Sequence, residues 1–167
     1  MTEHYRQYIR DMMRIYGYYD QGEFDSEEAE QLRDAMETPW HSLSEVERRR
    51  IRGLALDLNQ IREPKRSVEG PIERGREKLV AADRLRDRGE LDEALMLLRD
   101  SQDGIHPHAV SLLRSSIWME LEMPEVAAEF DRHAGGLVVR QSDSHAANKI
   151  AVAVVVPLDN RLASIVE

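Results

Sequence analysis

The chain contains no cysteine. That excludes a disulfide framework, a Cys-based zinc site and a thiol nucleophile. Aromatic residues make up only 5 %, and Lys and Arg (23) are outnumbered by Asp and Glu (32), for a net charge of −9. Such a surface repels phosphate, so no non-specific nucleic-acid binding is expected. Long apolar runs are missing too. The longest, Ile150 to Val156, is stopped by Pro157, and a span of the hydrocarbon core needs about 20 residues. Met1-Thr2-Glu3-His4-Tyr5-Arg6 has no basic stretch leading into an apolar run, so no signal peptide is expected and the default compartment is the cytoplasm. What the chain does have, 41 % hydrophobic and 33 % charged residues over a length of 167, is too apolar for disorder. It suits one domain or two very small ones.

The apolar pattern is helical nearly throughout. Tyr5, Tyr8, Ile9, Met12, Ile15, Tyr16 and Tyr19 follow the period of one helix face, which predicts a helix from Thr2 to about Tyr19 that stops near Gly17–Gly22. Asp25 with Glu28 forms a capping-box pattern ahead of Ala29, Leu32, Ala35 and Met36. This second helix is expected to end near Glu37, because Pro39 restricts the residue before it, and Trp40 reads as a core anchor. Ser42 with Glu45, or Ser44 with Glu47, opens a third helix marked by Ile51, Leu54, Ala55, Leu58 and Ile61. Arg48, Arg49, Arg50 and Arg52 crowd its first half and read as a solvated face whose stems cover apolar surface.

Two prolines, a glycine and a serine between Glu63 and Pro71 mark a linker. The organisation expected is a helical unit over 1–62, the linker 63–71, helical repeats over 72–135 and a capping segment or tail over 136–167. Within 72–135, Leu79, Ala82 and Leu85 precede a turn at Asp87-Arg88-Gly89-Glu90, and Leu91, Ala94, Leu95, Leu97 and Leu98 follow it. A loop from Ser101 to Pro107 leads to a stripe of Val110, Leu113, Ile117 and Leu121, with Trp118 one residue off. Pro124 opens the last helix, through Val126, Ala127 and Phe130, which is expected to end at Gly135-Gly136. Asp143 or Ser144 could cap a further helix, which is the favoured reading because the rest of the chain is helical and a repeat array needs its exposed end covered; the β-branched run of 150–156 also fits a strand.

Arg88-Gly89-Glu90-Leu91-Asp92-Glu93-Ala94 recurs 33 residues later as Leu121-Glu122-Met123-Pro124-Glu125-Val126-Ala127. A small residue enters the second helix of each pair in register, and the period suits a helix–turn–helix solenoid. On Ala82, Gly89, Leu91, Ala94, Leu98 and Pro107, then Trp118, Ala127 and Ala134, the chain resembles the tetratricopeptide-repeat family over about residues 72–135. It departs from the pattern at Glu122, where the family has a turn glycine. Ala29 to Met36, Pro39-Trp40, Leu43-Ser44 and Arg52 to Leu58 are similar to a module that precedes such repeats in uncharacterised bacterial proteins.

The resemblance implies an all-α fold of stacked helical hairpins and a role in protein–protein interaction, as a scaffold or adaptor. It places Arg76, Leu79, Asp83 and Arg86, then Leu112, Ser116 and Met119, on the partner-facing side of the first helix of each pair. The lysines and asparagines of a carboxylate clamp are replaced by Asp83, Asp87, Ser116 and Glu120, so a basic or apolar protein segment is the expected partner. Two repeats leave apolar end faces, which motivates the capping role of 136–167 and allows a homodimer. No nucleophile–base spacing appears, so no enzyme and no cofactor are expected. His106 and His108 around Pro107 read as loop histidines rather than metal ligands, Gly135-Gly136 as a helix cap rather than a phosphate loop, and Tyr16, Tyr18 and Tyr19 as a packed face. A regulatory domain with a small-molecule site is a further alternative.

Overall fold

A computed structural model describes residues 2–62, 72–100 and 107–145. The described residues form seven α-helices and no strand, so the described fold is all-α. It divides into two compact units, Met1–Glu63 and Pro64–Glu167. The proposed linker 63–71 and the β-branched run 150–156 lie outside the described residues.

The first unit contains α1 (Glu3–Gln21), α2 (Glu27–Ser42) and α3 (Glu45–Arg62). α1 passes straight through Gly17 and stops at Gly22. There φ is +76° and the backbone N–H groups of Gly22 and Glu23 return to Tyr18 and Tyr19, a Schellman-type close that needs the left-handed conformation glycine adopts freely. The N-cap of α2 is Ser26, not Asp25: its hydroxyl accepts the Ala29 N–H at 3.2 Å.

α2 does not end at Glu37. It runs through Pro39 to Ser42, although proline removes one backbone bond and disfavours helix at the residue before it. Continuing one more turn sets Trp40 against Tyr8, with ring centroids 5.4 Å apart, and delivers Leu43 into the core. That packing offsets the lost bond. Trp40 itself is half-buried, not a closed core anchor. Arg48 and Arg52 lie over its ring at 5.9 and 5.5 Å, so two members of the arginine cluster cover aromatic surface as well as facing water. Ala29 and Met36 are buried while Ala35 is exposed.

α1 and α3 run parallel. Their N-termini meet at Thr2 and Glu47, and their C-terminal ends meet where Arg62 grips Asp20 through two bonds of 2.8 and 2.7 Å. Between these ends Tyr16 donates its hydroxyl toward the Ala55 carbonyl at 3.1 Å and Asn59 Oδ1 at 2.8 Å. Of the two capping boxes on offer, Ser44 with Glu47 is the one formed. Glu47 N–H bonds Ser44 Oγ at 3.3 Å, and Ser44 N–H returns to Glu47 Oε2 at 3.0 Å. The other carboxylate oxygen accepts Thr2 N–H at 3.1 Å and Thr2 Oγ1–H at 2.7 Å. Thr2 Oγ1 in turn caps α1 by accepting from Tyr5 N–H. The Tyr5, Ile9, Met12, Ile51, Leu54 and Leu58 side chains close the core of this unit.

The second unit contains α4 (Ile72–Asp87), α5 (Leu91–Asp100), α6 (Pro107–Glu120) and α7 (Pro124–His145). α4 pairs with α5 and α6 with α7, and α6 also packs on both α4 and α5. Surrounded in this way, α6 buries almost its whole circumference, from Ala109 to Trp118. Trp118 is therefore as buried as the stripe it was expected to miss. α7 continues through Gly135-Gly136 rather than capping there. Neither glycine takes the positive φ that a left-handed cap requires, and an isolated glycine within a helix costs only about 1 kcal/mol relative to alanine. Residues 136–145 of the proposed capping segment, Asp143 and Ser144 among them, are thus inside α7; residues 146–167 lie outside the described residues.

The two hairpin turns match at the 33-residue offset. Gly89 N–H bonds Arg86 O at 2.7 Å and Glu90 N–H bonds Leu85 O at 2.9 Å; Glu122 N–H bonds Met119 O and Met123 N–H bonds Trp118 O, both at 3.0 Å. Glu122 takes the left-handed conformation of its glycine counterpart, φ +55° against +76°. Ala94 and Ala127 are both buried where the second helix of each pair begins.

Two stability outcomes follow. The Glu47 carboxyl is raised by burial but pulled down further by hydrogen bonds from Ser44 N–H, from the Thr2 hydroxyl and N–H, and from the Ser44 hydroxyl, so that it rests at about 2. A depressed carboxyl stabilises the fold above its unfolded value of 4.5 and loses that contribution as pH falls toward 2. Glu47→Gln should cost roughly 2–3 kcal/mol at neutral pH, the deficit shrinking below about pH 4.5, as read by urea denaturation across pH; equal midpoints at pH 7 would contradict the clamp. A Cβ at Gly89 meets nothing within 4 Å, so Gly89→Ala should cost about 1 kcal/mol from backbone strain alone, whereas Glu122→Gly should be neutral or stabilising in the same assay.

Candidate interaction surface

α4 and α6 lie side by side, and Arg86 joins them. Its guanidinium donates to Ser116 Oγ at 3.1 Å and to Asp87 Oδ1 at 2.8 Å, and it pairs with Asp83 at 2.9 Å and with Glu120 at 3.4 Å. Three carboxylates from two helices thus converge on one cation. Burial raises the Asp83 carboxyl; the Arg86 charge opposes this and the Asp87 charge adds to it. Burial lowers Arg86, but the Asp87 bond and the three acidic neighbours outweigh it and raise it overall.

Around this cluster the residues expected to face a partner divide into three groups. Arg76 and Met119 are exposed, Met119 at 57 %. Asp83, Arg86, Leu112 and Ser116 are half-buried. Leu79 is 8 % exposed and belongs to the core, so it offers no open contact. The Arg86–Asp83 pair has the i, i+3 spacing of helix neighbours and is legible in sequence. The Ser116 and Glu120 contacts cross more than one helix and carry no local signal.

His108 and His133 are structural, and neither is a loop residue. His108 lies in the first turn of α6, with Nδ1 3.1 Å from the Ala134 carbonyl, and His133 Nδ1 is 2.9 Å from Ser111 Oγ; both contacts tie α6 to α7. His106 is outside the described residues. Arg114 is the residue that patterning missed. It is only 2 % exposed and stacks over Phe130 at 5.7 Å, on a helix that packs against α4, α5 and α7. The tyrosines split: Tyr16 is packed under Arg62 at 4.7 Å, while Tyr19 is exposed and meets the Phe24 ring edge-on at 5.7 Å.

Among the described residues no group of three or more His, Asp and Glu is placed to hold a metal ion, and no helix is long and apolar enough to cross a membrane. The acids of the α4/α6 face are directed at a guanidinium, not at a hydroxyl or imidazole that they could activate as a base. No protein-family model matches the chain. No curated protein and no solved structure matches it either.

Removing the Arg86 cation should leave three carboxylates facing one another and cut the tie between α4 and α6. Arg86→Gln is expected to destabilise the fold by roughly 1–2 kcal/mol, discounted for partial exposure. It should do so more at neutral than at acidic pH, because the Asp83 carboxyl, raised by burial, takes up a proton as pH falls and relieves part of the repulsion. Denaturation midpoints at the two pH values decide this, and a loss that grows toward acid would contradict the arrangement.

Proposed function

We propose that this chain is a non-catalytic interaction module whose second unit receives a segment of another protein on the α4/α6 face. The observation that carries the proposal is Met119: a large apolar side chain left open beside a polar cluster in which carboxylates outnumber the cation three to one. Such a surface suits a basic segment that also carries an apolar side chain, with the charges setting register and on-rate and the apolar contact supplying affinity.

The matched turns at a 33-residue offset support the tetratricopeptide-like reading of 72–135 within this proposal. In arrays of that kind the first helices of successive pairs line the ligand surface, and α4 and α6 are those helices here. The absence of cysteine fits a reducing compartment such as the cytoplasm.

The test is quantitative capture from the native proteome on immobilised full-length chain, compared with Met119→Glu. The change is at an exposed side chain, so far-UV circular dichroism and melting should be unaltered. A specific partner should fall by about tenfold or more on the variant, the scale of losing one central apolar contact. Identical capture by both proteins would remove the α4/α6 face as the binding surface.

A further inference from the structure

The first unit carries two rows of charge that it does not neutralise itself. On α2, Glu27, Glu30, Asp34 and Glu37 follow helical spacing and are all exposed. None of the four has an ion-pair partner among the described residues. On α3, Arg49 and Arg52 are exposed. Arg49 has no ion-pair partner among the described residues, and Arg52 reaches only Glu45, at 4.0 Å, with both side chains mostly in water. The arginine row is flanked by two large apolar side chains that face solvent, Val46 at 57 % and Leu56 at 55 %. Beside it, the half-exposed Trp40 ring lies under Arg48 and Arg52.

The two rows match in length. Glu27 to Glu37 and Val46 to Leu56 each cover about 15 Å of helix at 1.5 Å per residue. An occupant of the α3 row must bring carboxylates, and an occupant of the α2 row must bring cations. A second copy of this chain brings both at once. We infer that the first unit self-associates, with the arginine row of α3 in one copy lying on the carboxylate row of α2 in the other, and the reverse contact formed by two-fold symmetry. An isologous contact of this kind needs one self-complementary patch and closes after two copies.

The net charge of −9 opposes self-association at long range. At physiological ionic strength, however, fields between exposed charges fade beyond about 8 Å, so the opposed rows dominate once the surfaces meet. Val46 and Leu56 then lose water on both sides of the contact, which is the component that salt does not screen. This inference concerns the first unit alone and stands apart from the reading of the α4/α6 face.

The experiment is sedimentation of the full-length chain over a wide concentration range, at ionic strengths of about 0.1 M and about 1 M. The wild type should show a monomer–dimer equilibrium whose dissociation constant rises about tenfold or more at the higher salt. Two charge-reversed proteins then decide the surface: Arg49→Glu with Arg52→Glu, and Glu30→Lys with Asp34→Lys. Each alone should be monomeric, and an equimolar mixture should recover a heterodimer, because every contact in the mixed pair again joins opposite charges. Since Arg52 also covers Trp40, Arg49→Glu alone serves as the second arginine variant and should weaken the wild-type dimer severalfold with unchanged helicity. A wild type that stays monomeric at every concentration overturns the inference. So does a dimer indifferent to both reversals, or a pair of reversed proteins that fail to recombine.

Discussion

Two parallel helices set side by side align their dipoles, which places two positive ends together and two negative ends together. α1 and α3 do this, and the first unit depends on how both ends are neutralised. At the N-terminal end the Glu47 carboxylate accepts from Ser44 and from Thr2, serving both helices with one charge. At the C-terminal end α1 has no basic residue in its last turn. Arg62 of α3 supplies it from the neighbouring helix, bonding Asp20 and the Leu58 carbonyl while covering Tyr16. A chain without disulfides and with few aromatics fixes its helix pair through one buried anion and one shielded cation at opposite ends.

The second unit uses the same economy differently. Its shared charge is Arg86, which ties the first helices of two hairpins rather than the ends of a parallel pair. The cost of bringing three acids to one cation falls on Asp83, whose carboxyl is raised by burial. The excess negative charge that remains is turned outward beside Met119. The same side-chain cluster that positions α4 against α6 therefore also sets the chemistry of the surface these helices present.

Most of the fold was legible because it was written in local spacing. Apolar periodicity located the cores of the seven helices among the described residues, but it ended α2 about five residues early and α7 about ten; the Ser44–Glu47 box was visible as a pattern. What the sequence did not disclose depends on contacts between residues distant along the chain. Glu47 looks like half of a capping box, and nothing local says that its second oxygen reaches Thr2. Arg114 looks like a solvent-facing position until α6 is seen to be enclosed by three other helices. Leu79 was placed among partner-facing residues by register, yet its side chain is drawn into the core of its own unit. Of the candidate surface, the acidic character could be read from Asp83, Asp87 and Glu120, but their convergence on Arg86 could not.

Two helices run past the residues expected to end them. Pro39 and Gly135-Gly136 are breakers by intrinsic preference, and both are traversed. Preference at a single residue is worth about 1 kcal/mol for glycine and about 3 kcal/mol for proline. Burying one large apolar side chain returns about 1.5–3 kcal/mol, so α2 can continue past Pro39 when the extra turn delivers both Trp40 and Leu43 to their contacts. Gly22 and Gly89 end helices because the chain there adopts positive φ and closes hydrogen bonds that only that conformation permits. Glu122 completes the comparison from the other side. A residue with little preference for the left-handed region is held in it because Met123 and Val126 must reach the core on the next turn. At Pro39 and at Glu122 the course of the chain is decided by what the following residues bury, and the local preference only sets how much that burial has to offset.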